Sequence, residues 1–430
     1  MTTDLRKERA AHGIIYIIPF FLLVLNSAIT LQHGHSHLSW AEAEIAFIRD
    51  PTTLIVLGSA YLIALILVLR KIRQTLQIVR SQLVYCLFLL YIALSMFWSA
   101  FPIKVFITWG HYAGYTLIAI SSVYYYTNFP RKFFYHLGFL TGVSVAGSII
   151  VSLLFPNWTM FDPNGRWYGI TSNPNTLGLI CLLSIWANIV SLYITESKII
   201  FLSNICLIVL AILALVGSGS VTSIILSVFV LSCVPIFMRI HINHPATRIL
   251  KLFFIVCGTA LAFSVYLLIH PEGYNTSTIF HDLGRDSTFS GRLRLWQDGW
   301  NLFMDKPCLG WSFDALLSVV AKTKSNIGQF HNGYLHLIIR GGIVSMIFIL
   351  FMIVDLFLCL RSFAHYQFKI SIGFLIIVIA ILAHNITEAS IARSTHIFWF
   401  LFVFVYFYLK NFLYNQRKGF KKIENYKWGK

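Results

Sequence analysis

From Gly284 to Gly342 the chain reads GRDSTFSGRLRLWQDGWNLFMDKPCLGWSFDALLSVVAKTKSNIGQFHNGYLHLIIRGG. This is the longest polar interruption in an otherwise apolar sequence. Leu293, Trp296, Trp300 and Phe303 recur at helical spacing, which predicts an amphipathic helix. The helix should stop before Pro307 and lie flat on a membrane surface. Its other end, HNGYLHLIIRGGI, runs straight back into apolar sequence. The stretch therefore reads as one large loop between membrane spans.

The composition agrees. The chain is 57% hydrophobic and 11% charged, where soluble domains carry about 25% charged residues. Apolar runs of about 18 residues or more recur along the whole length, as transmembrane helices require. The spans are predicted at 11–31, 53–70, 83–100, 103–125, 134–155, 176–195, 198–216, 220–238, 250–270, 334–360, 370–387 and 395–413. That describes an all-α polytopic membrane protein with about twelve transmembrane helices. Residues 1–430 form one integral membrane domain, and 271–333 is its large extracytoplasmic loop. The N-terminal apolar run reads as a first span and not as a cleaved signal peptide.

Basic residues set the expected topology. Arg6, Lys7 and Arg9 precede the first span, and Arg70, Lys71, Arg73 and Arg80 follow the second. Arg131, Lys132, Lys198, Arg239, Arg248, Lys251, Arg361, Lys369 and the lysine-rich tail fall on the same side if both termini are cytoplasmic. The net charge of +17 is then a record of topology, and no nucleic-acid partner is expected. The bilayer is the partner that composition demands. Of the seven cysteines, Cys308 alone lies in the long loop and the others fall in spans. That pattern gives neither a disulfide framework nor a metal site.

The chemically suggestive residues collect on the opposite side. Arg166 sits in PNWTMFDPNGRWYGITSNPNT, irregular sequence between two spans. An interfacial anchor and a ligand contact fit it equally well. Asn173 and Asn175 are candidate caps for the next helix. Gly217-Ser218-Gly219-Ser220, with Thr222, suits close helix packing first and a hydroxyl-lined ligand floor second. On the amphipathic helix Arg292 lies one turn before Trp296, near the buried face, while Arg294 lies one turn before Asp298 and is explained by that ion pair. Arg285, beside Asp286, fits either role. His331 and Asn332 stand at a loop–helix junction, and Asn332, His336 and Arg340 follow at four-residue spacing on one face. A charged residue inside a span is costly and faces the bundle interior. If the segment is helical, Arg340 lies about 13 Å below His331. An isolated histidine here would most simply cap the helix. The His33, His35 and His37 alternation lacks an acidic or cysteine partner for a metal. Glu42, Glu44 and Asp50 share that outer loop. His384, Asn385, Glu388 and Arg393 can line the same cavity, although plain intrahelical contacts are the simpler reading.

Taken together these residues resemble the O-antigen ligase and polysaccharide polymerase superfamily of bacterial membranes. The likeness rests on GRWYGITSNPNTLG around Arg166, on the GRDSTFSGRLRLW block with its PCLGWS turn, on His331-Asn332 followed by Gly342, and on the late large loop. The GRD…SGR…W and HNGYL blocks are most similar to the exopolysaccharide polymerase branch. Arg340 departs from the pattern, since relatives often carry an acidic or neutral residue there. The resemblance implies a membrane glycosyltransferase C-type fold and transfer of glycans linked to undecaprenyl pyrophosphate. The acceptor is another glycan or lipid A-core, at the periplasmic face of the inner membrane, with no metal, nucleotide or other cofactor. A chain-length regulator protein is a possible partner in such systems.

The residue chemistry is compatible with that implication. Arginine forks suit phosphate oxygens and neutralise charge as pyrophosphate departs. A histidine can take the proton from an attacking sugar hydroxyl. The expected catalytic set is His331, Arg166 and Arg292, with Arg285, Asn332 and Arg340 as substrate contacts. Polymerase and ligase remain open at this stage. A lipid-glycan transporter is a third reading, but transporters place binding groups near the midplane, often in repeats, and no repeat is visible here. The helix-face argument predicts that Arg292→Ala abolishes glycan transfer and Arg294→Ala is nearly silent. Equal loss in the two, measured at equal protein level in membranes, would refute it.

Overall fold

The structure is a computed structural model, described here for residues 14–29, 51–154, 165–239, 288–324 and 329–428. The expected span at 250–270, the His33/His35/His37 set, Glu42, Glu44, Asp50 and Arg285 lie outside the described residues. Among the described residues all regular structure is helical. The helices are α1 (Ile14–Ala28), α2 (Pro51–Arg70), α3 (Ile72–Arg80), α4 (Leu83–Phe97), α5 (Pro102–Tyr126), α6 (Pro130–Leu154) and α7 (Pro174–Ile194). They continue with α8 (Lys198–Ser218), α9 (Val221–Arg239), α10 (Thr288–Asp305), α11 (Leu317–Thr323), α12 (Gly333–Phe363), α13 (Phe368–His384) and α14 (Ile397–Trp428). A helix stands at each expected span within the described residues. Seven are long and apolar enough to cross a membrane, or eight if the bent pair α3–α4 forms one span. The chain is a polytopic helical membrane protein.

Local sequence chemistry sets the helix ends. Proline opens α2, α5, α6 and α7, where its missing N–H costs nothing. Asn173 caps α7 by accepting from Thr176 N at 2.9 Å. Asn175 lies inside the first turn instead, so the expected second cap is not one. Gly219 ends α8 in a left-handed turn, φ 55°, and α9 starts two residues later. The basic stretch 71–80, expected as a plain cytoplasmic link, forms α3, which meets α4 at 91°.

Burial sorts the helices into two layers. α7 and α14 are enclosed, with 89% and 83% of their spanning windows buried, against 28% for α8. A helix apolar all round belongs inside, and α13 joins these two. The outer helices α2, α4, α8, α9 and α12 turn Leu, Ile and Val outward. Polar side chains join the inner helices to their neighbours, as suits a solvent with no hydrogen bonds to offer. Asn188 donates to Gly138 O at 3.0 Å, and Trp186 donates to Gly373 O at 3.0 Å. Asp355 of α12 binds Lys410 of α14 at 2.6 Å and Tyr406 at 2.7 Å.

The decisive feature is a break in α12. At Gly342 the backbone takes φ 59°, ψ −167°, a region open essentially to glycine alone. The helix hydrogen bonds lost there are replaced by the turn after α10. Trp311 N donates to Ile339 O at 2.8 Å and Ser312 N to Arg340 O at 2.9 Å, while Ile343 N donates to Pro307 O at 2.8 Å. Tyr91 of α4 donates to Gly341 O at 2.8 Å and to Leu309 O at 3.0 Å. Irregular backbone within the bundle is tolerated because protein supplies these partners. PCLGWS is thus a plug in the broken helix.

The plug fixes α10. Leu302 is buried, and Trp296, Phe303 and Leu295 pack with Trp311, Leu316, Val319, Phe330, Leu335 and Ile339 in a small core of their own. This corrects two expectations. The apolar face of α10 rests on protein, and Trp300, 53% exposed, lies off it. Arg294 and Asp298 are both exposed, and no ion pair joins them among the described residues, since two solvated chains gain little by pairing. Gly342→Ala is expected to lower the thermal midpoint in detergent strongly. An added Cβ would stand 2.1 Å from Cys308 O, and the glycine-only backbone conformation adds about 1–3 kcal/mol of strain. Gly58→Ala, with open space around it, should be neutral or stabilise by about 0.5–1 kcal/mol.

Candidate active site

The starts of α7, α9, α12 and α14 and the end of α13 meet at one pole of the bundle. The opposite pole is marked by Lys369, which donates to Tyr193 O at 3.1 Å, and by the Arg131–Glu196 pair at 2.7 Å. The first pole gathers residues far apart in the chain, and the linker between α13 and α14 holds them together. Asn385 builds that linker: its Oδ1 accepts from Ser390 N at 2.9 Å and Ile391 N at 2.8 Å, and its carbonyl accepts from Gly333 N at 2.7 Å. Gly333 is needed there, because a Cβ would fall 1.9 Å from Asn385 Oδ1.

This docking presents His331. Its backbone is left-handed, φ 46°, an unusual conformation for a side chain of this size. Asn332 Oδ1 caps α12, accepting from Tyr334 N at 3.1 Å and Leu335 N at 3.0 Å. The cap is therefore Asn332, and His331 is left for other work. With its oxygen committed, Asn332 has only its NH2 for a ligand.

His331 Nδ1 lies 3.1 Å from Glu388 Oε2. Arg292 places its guanidinium 3.6 Å from Glu388 Oε1 and donates to Thr387 O at 3.3 Å. Arg292 is brought there by α10, anchored through Trp296, which donates to Phe330 O at 2.8 Å. Arg166 donates from Nε to Ser218 O and from its terminal nitrogen to Asn175 Oδ1, both at 2.9 Å. Asn175 in turn donates to Glu388 Oε1 at 3.5 Å. Trp167 packs where a Cβ on Gly217 would stand, 2.4 Å away, so the small residues of the α8–α9 turn make room for this segment. Thr222 reaches Thr387 at 2.9 Å. His331 also meets Gln329, whose Oε1 accepts from Arg393 at 3.2 Å.

The fold thus brings Arg166, Arg292 and His331 into one network, and Glu388 is its centre. Glu388 is the residue that sequence reasoning undervalued. It does not make an intrahelical contact but ties α7, α10 and the start of α12 together. Burial raises its carboxyl, but the His331 hydrogen bond, with the charges of His331, His384 and Arg292, outweighs this and holds it below the ordinary 4.5. His396, at the mouth of α14, is pushed well below its ordinary value by burial, with His384 and Arg393 adding to it.

Arg340 stands apart. It is 4% exposed, donates to Ala392 O at 3.3 Å and lies 4.8 Å from the Phe313 ring. His336 is buried one turn above it. Among the described residues neither makes a hydrogen bond to the Glu388 network, and Arg340 lies in the bundle beneath the site.

Two chemical capacities follow. Among the described residues of the network, Arg166 and Arg292 accompany one carboxylate, and arginine forks suit a polyphosphate. A carboxylate only accepts, so Glu388 fixes the proton of neutral His331 on Nδ1 and turns the Nε2 lone pair outward. That is the arrangement of an oriented general base.

Comparison with known proteins points the same way. A family described as O-Antigen ligase matches residues 206–350, a stretch that takes in Arg292, His331 and Gly342. The exopolysaccharide production protein ExoQ of Rhizobium meliloti (strain 1021) is 25% identical over 309 residues, 68% of this chain and 68% of that one. With the apolar helical bundle described above, these likenesses support the O-antigen ligase and polysaccharide polymerase superfamily, on its exopolysaccharide side.

Proposed function

We propose that this protein joins oligosaccharide units carried on undecaprenyl pyrophosphate, at the outer face of the cytoplasmic membrane, in exopolysaccharide or O-antigen synthesis. The observation that carries the reading is a glutamate-bound histidine sharing one network with two arginines. Arg166 and Arg292 hold the donor pyrophosphate, with Arg285 as a further contact. The acceptor hydroxyl binds at His331 Nε2, within reach of the Asn332 amide. Its oxygen attacks the anomeric carbon as the bond from that carbon to the pyrophosphate oxygen breaks. Undecaprenyl pyrophosphate leaves with the electron pair, and the hydroxyl proton passes to His331. A single in-line displacement inverts the anomeric centre. Glu388 stabilises the imidazolium that forms, and the arginines neutralise the leaving group without need of a metal.

The basic residues at the pole opposite the network support an orientation with both termini in the cytoplasm and the site facing the periplasm. The name of the matched family favours a second reading with the same chemistry, in which the glycan passes to lipid A-core or a protein hydroxyl. The exopolysaccharide relative favours the polymerase.

The deciding experiment uses purified protein in lipid with a lipid-linked repeat unit as sole substrate. A ladder of longer glycans on that lipid is expected; transfer only after lipid A-core is added would make it a ligase. Arg166→Ala and Arg292→Ala should each lower turnover by about 10²–10³-fold, and His331→Ala by about 10²–10⁴-fold. Full turnover in His331→Ala would overturn the mechanism.

Glu388 supplies a test that needs no substrate. Its carboxyl titrates lower in the fold than the ordinary 4.5. Its contribution to stability is therefore present above that range and is lost as pH falls through the folded value. Thermal midpoints of wild type and Glu388→Gln should differ at pH 7 and converge on acidification. A gap that stays constant would show that the carboxylate charge is not what holds the network.

A further inference from the structure

Gln329 stands against His331 with Arg393 behind it, and neither has a part in the reaction as derived so far. Gln329 Nε2 lies 3.2 Å from Nδ1 and 3.4 Å from Nε2 of the ring. Its Oε1 is held by Arg393 at 3.2 Å. The chemistry of an amide makes this pair directional. A guanidinium only donates, so Arg393 fixes the Gln329 oxygen toward itself and the NH2 toward His331. Glu388 already claims the proton on Nδ1, which leaves Nε2 as the ring acceptor for that NH2. An imidazolium has no acceptor to offer, and its Nε2–H would point at a second donor.

We propose that Gln329, oriented by Arg393, is a positioning residue that keeps His331 in its proton-accepting state and holds the acceptor oxygen. This rests on the assignment of His331 as the base. When an acceptor hydroxyl arrives, it donates to Nε2, and its oxygen takes over the hydrogen bond from the Gln329 NH2. After transfer, the imidazolium Nε2–H faces the Gln329 NH2, a second donor, and its proton passes to water, which resets the base. The groups facing His331 are Glu388 and Arg393 from the linker after α13, Arg292 from α10 through Glu388, and His336 from α12. Gln329 is the neutral donor among them, and its hydrogens oppose the proton that Glu388 attracts.

The test is the pH profile of glycan transfer by full-length protein in lipid, with a lipid-linked repeat unit as substrate. Gln329→Glu replaces the donor with an acceptor and favours the imidazolium. Its acid limb should move to higher pH by about one unit or more, so that the rate on that limb falls about tenfold relative to its own plateau. Gln329→Leu should shift the limb the same way by less, and Arg393→Lys should restore most of the wild-type profile where Arg393→Ala does not. A second measurement is independent of turnover. With ring-¹⁵N histidine and His331→Ala for assignment, His331 should hold its proton on Nδ1 in wild type and become doubly protonated at higher pH in Gln329→Glu. Profiles that fall in height without moving, with an unchanged ¹⁵N titration, would reduce Gln329 to a structural brace and overturn the proposal. Full activity in His331→Ala would instead remove the base assignment on which it rests.

Discussion

Glu388 is the constraint on which the rest of the site depends. A buried carboxylate at the pole of a membrane bundle is costly unless it is paired and hydrogen-bonded. Here it meets His331 from α12, Arg292 from α10 and Asn175 from α7. Each of those elements approaches from a different part of the sequence. The same group sets the tautomer, because by accepting the Nδ1 hydrogen bond it leaves Nε2 as the basic nitrogen of a neutral His331. Removing it would leave the Arg292 guanidinium without this carboxylate and the His331 imidazole with no fixed tautomer.

A second dependence runs through the break at Gly342. A straight α12 would satisfy its own backbone and leave no seat for the PCLGWS turn. The broken helix accepts that turn through Trp311, Ser312 and Ile343, and Tyr91 ties both sides of the junction to α4. The turn fixes α10, and α10 carries Arg292. A backbone feature inside the bundle thereby places a side chain at its surface. Arg340 and Phe313 sit at this same junction, which gives Arg340 a place in the scaffold beneath the site, while the arginines of the network lie above.

Much of this was legible in the chain. Apolar runs and the cap at Asn173 are local signals, governed by hydrogen-bonding needs within a few residues, while the cap of α12 fell to Asn332, one residue past the expected His331. The separation of Arg292 from Arg294 followed from helical period alone, although the ion pair assigned to Arg294 did not form. The role of Glu388 was not legible. HNITEASIARS contains an isolated acidic residue next to a helix end, and nothing nearby distinguishes a bridge from an intrahelical contact. Likewise nothing in the local sequence shows that the turn from Pro307 lies in a break at Gly342.

The sequence by itself determined a helical membrane protein, the position of its spans within the described residues, and a set of arginines and a histidine at helix ends. These depend on the free energy of moving apolar runs out of water and on backbone groups seeking partners close by. Only the tertiary structure decided which of those polar groups meet. Asn175, Arg292, His331 and Glu388 are separated by long stretches of chain, and each could have been satisfied by solvent or by its own helix. Their meeting is fixed by how α10, α12 and the linker after α13 dock, through glycines whose missing side chains can be recognised only once the neighbouring backbone is in place.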